Sequence, residues 1–373
     1  MKDFFVGMRN SIIAVFYRFL LKPVFFKMDP ENIHDIMVGT GKNLGRFALM
    51  RWSTRVMFGY RHKMLEQHIL GMHFRNPVGL AAGFDKNALL TKILPSVGFG
   101  FEEVGSITGE PCAGNPKPRL WRLPKSKSLV VHYGLMNDGA EVIAKRLKNL
   151  AFAFPVGTSI AKTNSPDTCE TDAGVRDYVK GFRFFTDIGD YYTVNISCPN
   201  AYGGQPFTDP AKLENLLEAL DKIQTRKPVF LKFSPDITSQ NLDEILEVAS
   251  RHRIHGFICT NLTKNRNNSK IKDENVPEKG GLSGKVVEDL SNAMIAHIYR
   301  KTKGKYVIIG CGGVFTAHDA YVKIRSGASL IQMITGMIYQ GPQTISAVNL
   351  GLVRLLKRDG FASVREAIGV DVQ

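Results

Sequence analysis

Residues 229–263 read VFLKFSPDITSQNLDEILEVASRHRIHGFICTNLT. The run opens with a short apolar segment rich in aromatic and β-branched residues. Leu242, Ile245, Leu246 and Ala249 then recur at three-and-four spacing, and GFICT forms a second apolar segment. A strand, an amphipathic helix and another strand without a hairpin turn make a parallel βαβ unit. The alternation continues outward in both directions. Apolar runs at 78–83, 99–106, 155–163, 191–198, 306–313 and 330–336 bring the strands to eight, and Leu213, Leu216, Leu217, Leu220 and Ile223 form another helical stripe. Eight units predict an α/β protein built as a closed (β/α)8 TIM barrel.

The chain has 373 residues, 44% hydrophobic and 22% charged, which excludes a disordered chain or a small disulfide scaffold. Its five cysteines are odd in number and widely spaced, so reduced thiols are expected and no metal site. Lys and Arg number 49 against 34 Asp and Glu, a net charge of +15. Nucleic-acid binding would need basic residues interleaved with aromatics or a reading helix, and neither is evident. No nucleic-acid partner is expected.

Residues 1–66 read as a helical cap, with the barrel at 67–373. Met8, Ile12, Val15, Phe16 and Phe19 continue a helical stripe from Phe5, interrupted by Arg9 and Arg18, and Pro23 is expected to end it. So short a helix should not span a bilayer but could lie in its interface, with Arg on anionic head groups. A second stretch, 30–57, is expected to break into two helices at Gly39 and Gly41.

In such barrels the chemistry sits at the C-terminal strand ends. Here those ends carry Asp85 and Lys86, Ser106, Lys162 and Thr163, Asn195 and Cys198, Lys232, Thr260 and Asn261, Gly312 and Gly313, and Thr335 and Gly336. Glycines after strands seven and eight place bare backbone N–H groups where barrels hold a phosphate. Together with Lys86 and Lys232 they suggest a phosphate-bearing cofactor with an electron-rich ring, and flavin mononucleotide (FMN) fits. The insertion at 111–137 could form extra strands over the mouth, and loops 199–211 and 264–285 are long enough to act as mobile lids.

NPVGLAAGFDK at 76–86, KPRLWR at 117–122, NISCPN at 195–200, Thr260-Asn261, GGLSG at 280–284, GCGG at 310–313 and the segment 336–342 together resemble the dihydroorotate dehydrogenase family, in family order. The cap, with DPENIH at 29–34, is similar to that of the membrane-associated class 2 enzymes, which use quinone. The resemblance implies FMN-dependent oxidation of dihydroorotate to orotate, with electrons passed to a quinone at the cap. It implies Cys198 as the base, and Lys86, Asn137, Asn195, Asn200 and Asn261 around the substrate. Ala82, Gly83, Lys86, Ser106, Ser159, Asn195, Lys232, Thr260, Gly281, Gly312, Gly313, Ile334 and Thr335 would hold the flavin, and His34 and Arg122 would line the quinone tunnel. The implied place is the cytoplasmic face of a bacterial-type cell membrane, held peripherally by the N-terminal helices.

Several positions depart from the family pattern. Cys198 stands where class 2 enzymes carry Ser, as in the soluble class 1 enzymes. Val131 and Leu262 replace a substrate-binding Asn and a Thr, with His132 or Tyr133 able to compensate; Ser159 replaces a flavin-contacting Asn and Ile334 a Tyr. Two other readings stay open: the same flavin barrel acting on a related dihydropyrimidine with a soluble acceptor, and a non-redox phosphate-binding barrel.

Overall fold

A computed structural model describes residues 1–372. Eight parallel strands close into a barrel: β1 (Val78–Leu80), β2 (Phe101–Ile107), β3 (Val156–Ile160), β4 (Tyr191–Asn195), β5 (Val229–Phe233), β6 (Gly256–Cys259), β7 (Val307–Cys311) and β8 (Leu330–Met333). Each pairs with the next in sequence, and β8 pairs with β1, Ile331 opposite Val78. The expected strands all form, each shorter than expected; β2 starts later and runs on to Ile107, and the others stop where their polar ends turn into the loops that carry the chemistry.

Large rings over small residues fill the barrel's N-terminal end. A Cβ on Gly157 would sit 2.1 Å from the Tyr191 ring, and one on Gly79 2.4 Å from Phe101, so only glycine fits beneath these aromatics. An antiparallel hairpin, Gln67–Ile69 with Met72–Phe74, closes this end, Phe74 meeting Phe101 edge-on at 5.4 Å. Above this apolar layer lies a polar one. The buried Glu103 carboxylate accepts from Thr193 Oγ1 and Gln332 Nε2, both at 2.9 Å. Charge therefore begins halfway up the barrel, on the side facing the mouth.

The N-terminal helices differ from expectation in two places. Helix α1 (Lys2–Phe16) continues through a π turn (Tyr17–Leu21) into α2 (Lys22–Lys27), so Pro23 does not end it. Pro23 falls in the first turn of α2, where its missing N–H costs little, and the wider turn before it absorbs the change of register. The continuous run of 26 residues is long and apolar enough to cross a membrane, which the expectation of a short helix did not allow. Polar contacts nonetheless lay it along the barrel. Asn10 Nδ2 and Arg9 Nη2 donate to Ser346 Oγ at 3.1 and 2.8 Å, and Tyr17 donates to the Ile338 carbonyl at 2.6 Å.

Helix α3 (Pro30–Arg46), capped by Asp29, runs unbroken through Gly39 and Gly41, and the chain turns only at Phe47 before α4 (Ala48–Phe58). At Gly41 a Cβ would lie 2.6 Å from Leu90 Cδ2. This glycine lets the helix approach the barrel closely rather than breaking it.

Candidate active site

A cleft opens at the C-terminal ends of the strands. It brings together Ala82, Gly83, Lys86, Ser106, Asn195, Cys198, Asn200, Lys232, Thr260, Asn261, Gly312, Gly313, Ile334 and Thr335, with His34 entering from α3. Residues from β1 to β8 and their loops thus converge from more than 200 positions of chain.

Four expected residues do not reach its lining. Asn137 is buried beside the insertion, where Nδ2 donates to Thr108 Oγ1 (2.7 Å) and the Leu135 carbonyl (2.8 Å) and Oδ1 accepts from the Gly139 N–H (2.8 Å). With these bonds made it holds a turn, and its amide is not free for substrate. Ser159 lies one layer behind, its hydroxyl 2.8 Å from that of Ser106, because a side chain this short cannot pass Ser106. Gly281 is covered: its Cβ position lies 2.6 Å from Leu262 Cβ. Arg122 donates to the Met28 carbonyl at 2.8 Å and stacks over Phe26 at 4.8 Å, joining the insertion to the end of α2.

A three-stranded antiparallel sheet covers the cleft. Leu120–Leu123 pairs with Ser128–Val131, as expected for the insertion, and Gly281–Gly284 adds on the other side. The third strand belongs to the second lid segment, a pairing for which the sequence carries no local signal. Val131, Leu262 and Ile334 all face the cleft, so these three departures from the family pattern make its wall more apolar. His132 lies outside the lining, its Nδ1 3.4 Å from Asn200 Oδ1, whereas Tyr133 lines it with its buried hydroxyl unpartnered among the described residues.

Asn195 and Asn261 form one network, and Asn200 is held apart from it. Asn195 Nδ2 donates to Ser106 Oγ (2.8 Å), and its Oδ1 accepts from Ser197 Oγ (2.8 Å). Asn261 Nδ2 donates to the Ser197 carbonyl (2.9 Å), and Asn200 Nδ2 to that of Val131 (2.8 Å). Ser197, at the centre of this network, does not stand out in the sequence.

Two lysines face the cleft differently. Lys86 Nζ lies 3.1 Å from His34 Nε2 and 3.7 Å from the centre of the Tyr133 ring. Burial pushes its pKa down to about 8, and burial followed by the Lys86 charge pushes His34 down to about 3, so the imidazole is neutral and accepts from the ammonium. Lys232, also buried, makes no hydrogen bond among the described residues, and its nearest carboxylate oxygen, Glu103 Oε1, is 3.9 Å away and itself unpartnered. A lysine that turns to the cleft without a hydrogen bond, together with bare glycine backbone in the same lining, suits a ligand with a ring that gains negative charge and a phosphate tail. The residues present fit a flavin nucleotide.

Cys198 sits in the cleft between Asn195 and Asn200. Burial raises its thiol to about 11, although the Asn200 backbone and the Lys162 charge pull it down.

Comparison with known proteins agrees with this geometry. A family model described as dihydroorotate dehydrogenase matches residues 64–356. The chain belongs to the dihydroorotate dehydrogenase family. It is 37% identical to a dihydroorotate dehydrogenase (quinone) of Trichormus variabilis over 95% of this chain and 98% of that one. Identity to the protein of the same name from Haloarcula marismortui is 41%, over 95% and 99%. Among solved structures it is similar to a ligand-free dihydroorotate dehydrogenase from Eimeria tenella, with 32% identity, a TM-score of 0.80 and coverage of 92% and 100%. Members of this family are flavin-dependent oxidoreductases.

Proposed function

We infer that this protein oxidises dihydroorotate to orotate and passes the electrons to a quinone, in pyrimidine biosynthesis, with FMN as its flavin. The observation that carries this reading is the convergence of a lysine with no hydrogen bond among the described residues, three amides and a thiol on one cleft under a three-stranded cover.

Bound FMN would supply an acceptor for the hydride leaving the substrate. Lys232 would hold positive charge beside the flavin ring, and Gly312, Gly313 and Thr335 would offer backbone and hydroxyl donors to the phosphate. Asn195, Asn200 and Asn261 present amide edges that match the N–H and C=O groups of a pyrimidine ring without adding charge. Lys86 is the cation within the cleft for the substrate carboxylate, and engaging it weakens the bond to His34.

Cys198 takes the proton from substrate C5. With a thiol near 11, the thiolate is a minor form at neutral pH, and its share grows with pH. At saturating substrate the rate of flavin reduction should therefore rise above pH 7, while the loss of the Lys86 charge above about 8 weakens dihydroorotate binding and raises KM.

Residues 1–66 serve as the quinone and membrane-facing domain, and 67–373 as the barrel. Supporting this division, His34 reaches the cleft from α3 while Phe4, Phe5, Phe16 and Phe19 lie exposed on the same group of helices. We assign the contact as peripheral, because α1 is bonded along the barrel through Ser346, and propose the cytoplasmic face of the membrane as its place. Val131 and Leu262 favour a second reading, oxidation of a less polar dihydropyrimidine in the same cleft.

Anaerobic mixing of the flavin-loaded protein with dihydroorotate distinguishes them. Loss of oxidised-flavin absorbance supports the first reading. A loaded protein that keeps its colour with dihydroorotate but bleaches with a less polar analogue establishes the second.

A further inference from the structure

Lys323, on the helix Ala317–Arg325 outside the barrel, is wholly buried and plays no part in the chemistry above. Its ammonium donates to Ser291 Oγ at 2.7 Å and Asn292 Oδ1 at 2.8 Å, both uncharged, and no carboxylate among the described residues lies within ion-pairing distance. The acidic groups nearby are engaged elsewhere. Glu288 is held by Lys285 at 2.6 Å and Lys270 at 3.0 Å, and Asp319 by Lys285 at 2.8 Å. Burial lowers Lys323 to about 8, which still leaves it mostly protonated at pH 7. An enclosed cation without a counter-ion destabilises a fold unless an anion is bound close by.

The place of that anion follows from what Lys323 touches. Its Cδ lies 3.1 Å from the Cβ position of Gly310 on β7. Ser291, which accepts from Lys323, donates to the Cys259 carbonyl at 2.9 Å, and its Cβ lies 3.5 Å from the Cβ position of Gly312. Lys323 thus stands directly behind the wall formed by the ends of β6 and β7. On the other side of that wall Thr260, Gly312 and Gly313 face the cleft.

We propose that Lys323 is a positioning residue for the cofactor phosphate, giving the Gly312–Gly313 wall a fixed positive potential that selects a phosphorylated flavin over an uncharged one. This rests on the flavin reading above. The effect acts through a medium of low dielectric, where a charge not in contact with the ligand is still felt. It requires no contact between Lys323 and the ligand.

The test is binding of FMN and of riboflavin, which lacks the phosphate, to the apoprotein, followed by quenching of flavin fluorescence. Lys323→Met should weaken FMN binding by roughly tenfold and change riboflavin binding by less than about twofold. Lys323→Arg should restore most of the FMN affinity. If Lys323→Met does not fold, Lys323→Gln, which keeps a donor for Ser291 but not the charge, must show the same FMN-selective loss. Equal losses for the two flavins, or an unchanged FMN affinity, overturn the proposal while leaving the flavin reading intact. A wild-type apoprotein that binds neither flavin overturns both.

Discussion

The barrel mouth and the outer face of the N-terminal helices distribute polarity in opposite ways. At the mouth, buried amides and hydroxyls satisfy one another through Ser197, Ser106 and Asn195, while Lys232 and the Tyr133 hydroxyl, without hydrogen-bond partners among the described residues, line the space a ligand would fill. On the helices, Phe4, Phe5, Phe16, Phe19, Phe47 and Trp52 all stand more than half exposed. A soluble surface seldom presents so many large apolar side chains together. On the function proposed above, a small molecule would complete the mouth and a lipid surface would meet the helical face.

The strongest way to break this contrast is at the mouth. Cys198→Ala should slow dihydroorotate-driven flavin reduction by about 10² to 10⁴ in stopped flow, while Cys198→Ser keeps part of the rate with an altered pH profile. Equal rates in the two variants would remove the thiol from the chemistry. In the wild type the logarithm of that rate should climb with pH, because the base is the minor form below about 11.

Next comes the joint between the regions. Glu31 on α3 is buried against Arg119 of the insertion, 2.8 Å away, with Lys117 at 3.3 Å. Burial pushes its carboxyl up, but Arg119 and Lys117 outweigh this and hold it below its ordinary value. A carboxyl lowered in the folded state stabilises above its unfolded pKa and loses that contribution as pH falls through the folded one. Arg119→Met, which leaves the buried carboxylate only the exposed Lys117, should cost about 1–3 kcal/mol in denaturant unfolding at pH 7, and acid should narrow the gap to wild type.

On the helical face, Phe19→Asp should leave unfolding stability nearly unchanged yet weaken co-sedimentation with anionic vesicles by about 1.5–3 kcal/mol. Unaltered sedimentation would show that this face meets something other than lipid. The smallest effect is expected at Val131. If the missing amide limits substrate binding, Val131→Asn should tighten dihydroorotate binding by about 0.5–1.5 kcal/mol, read as a lower KM.

The barrel was legible because its strands are short runs of Val, Ile, Phe and Tyr separated by amphipathic helices, and position after a strand pointed to Lys86, Ser106, Asn195, Cys198, Lys232, Thr260, Asn261 and Thr335 in the cleft. What failed depended on neighbours distant in sequence. Asn137 is consumed by Thr108 and Leu135, and Gly41 is explained by Leu90, so neither could be judged from its own surroundings. Pro23 misled because a π turn upstream absorbs it. The Glu31–Arg119 pair spans 88 residues and leaves no local trace. Glu103 had a signal that went unused: an acid inside the apolar run 99–107 must be paired or functional.

The antiparallel sheet over the cleft draws its strands from two loops, one following β2 and the other following β6. A flap with both edges sewn to different parts of the rim cannot swing on a single hinge. Lifting this cover as a whole calls for unzipping the seam between 128–131 and 281–284, so the amides on its two sides should exchange with deuterium in step.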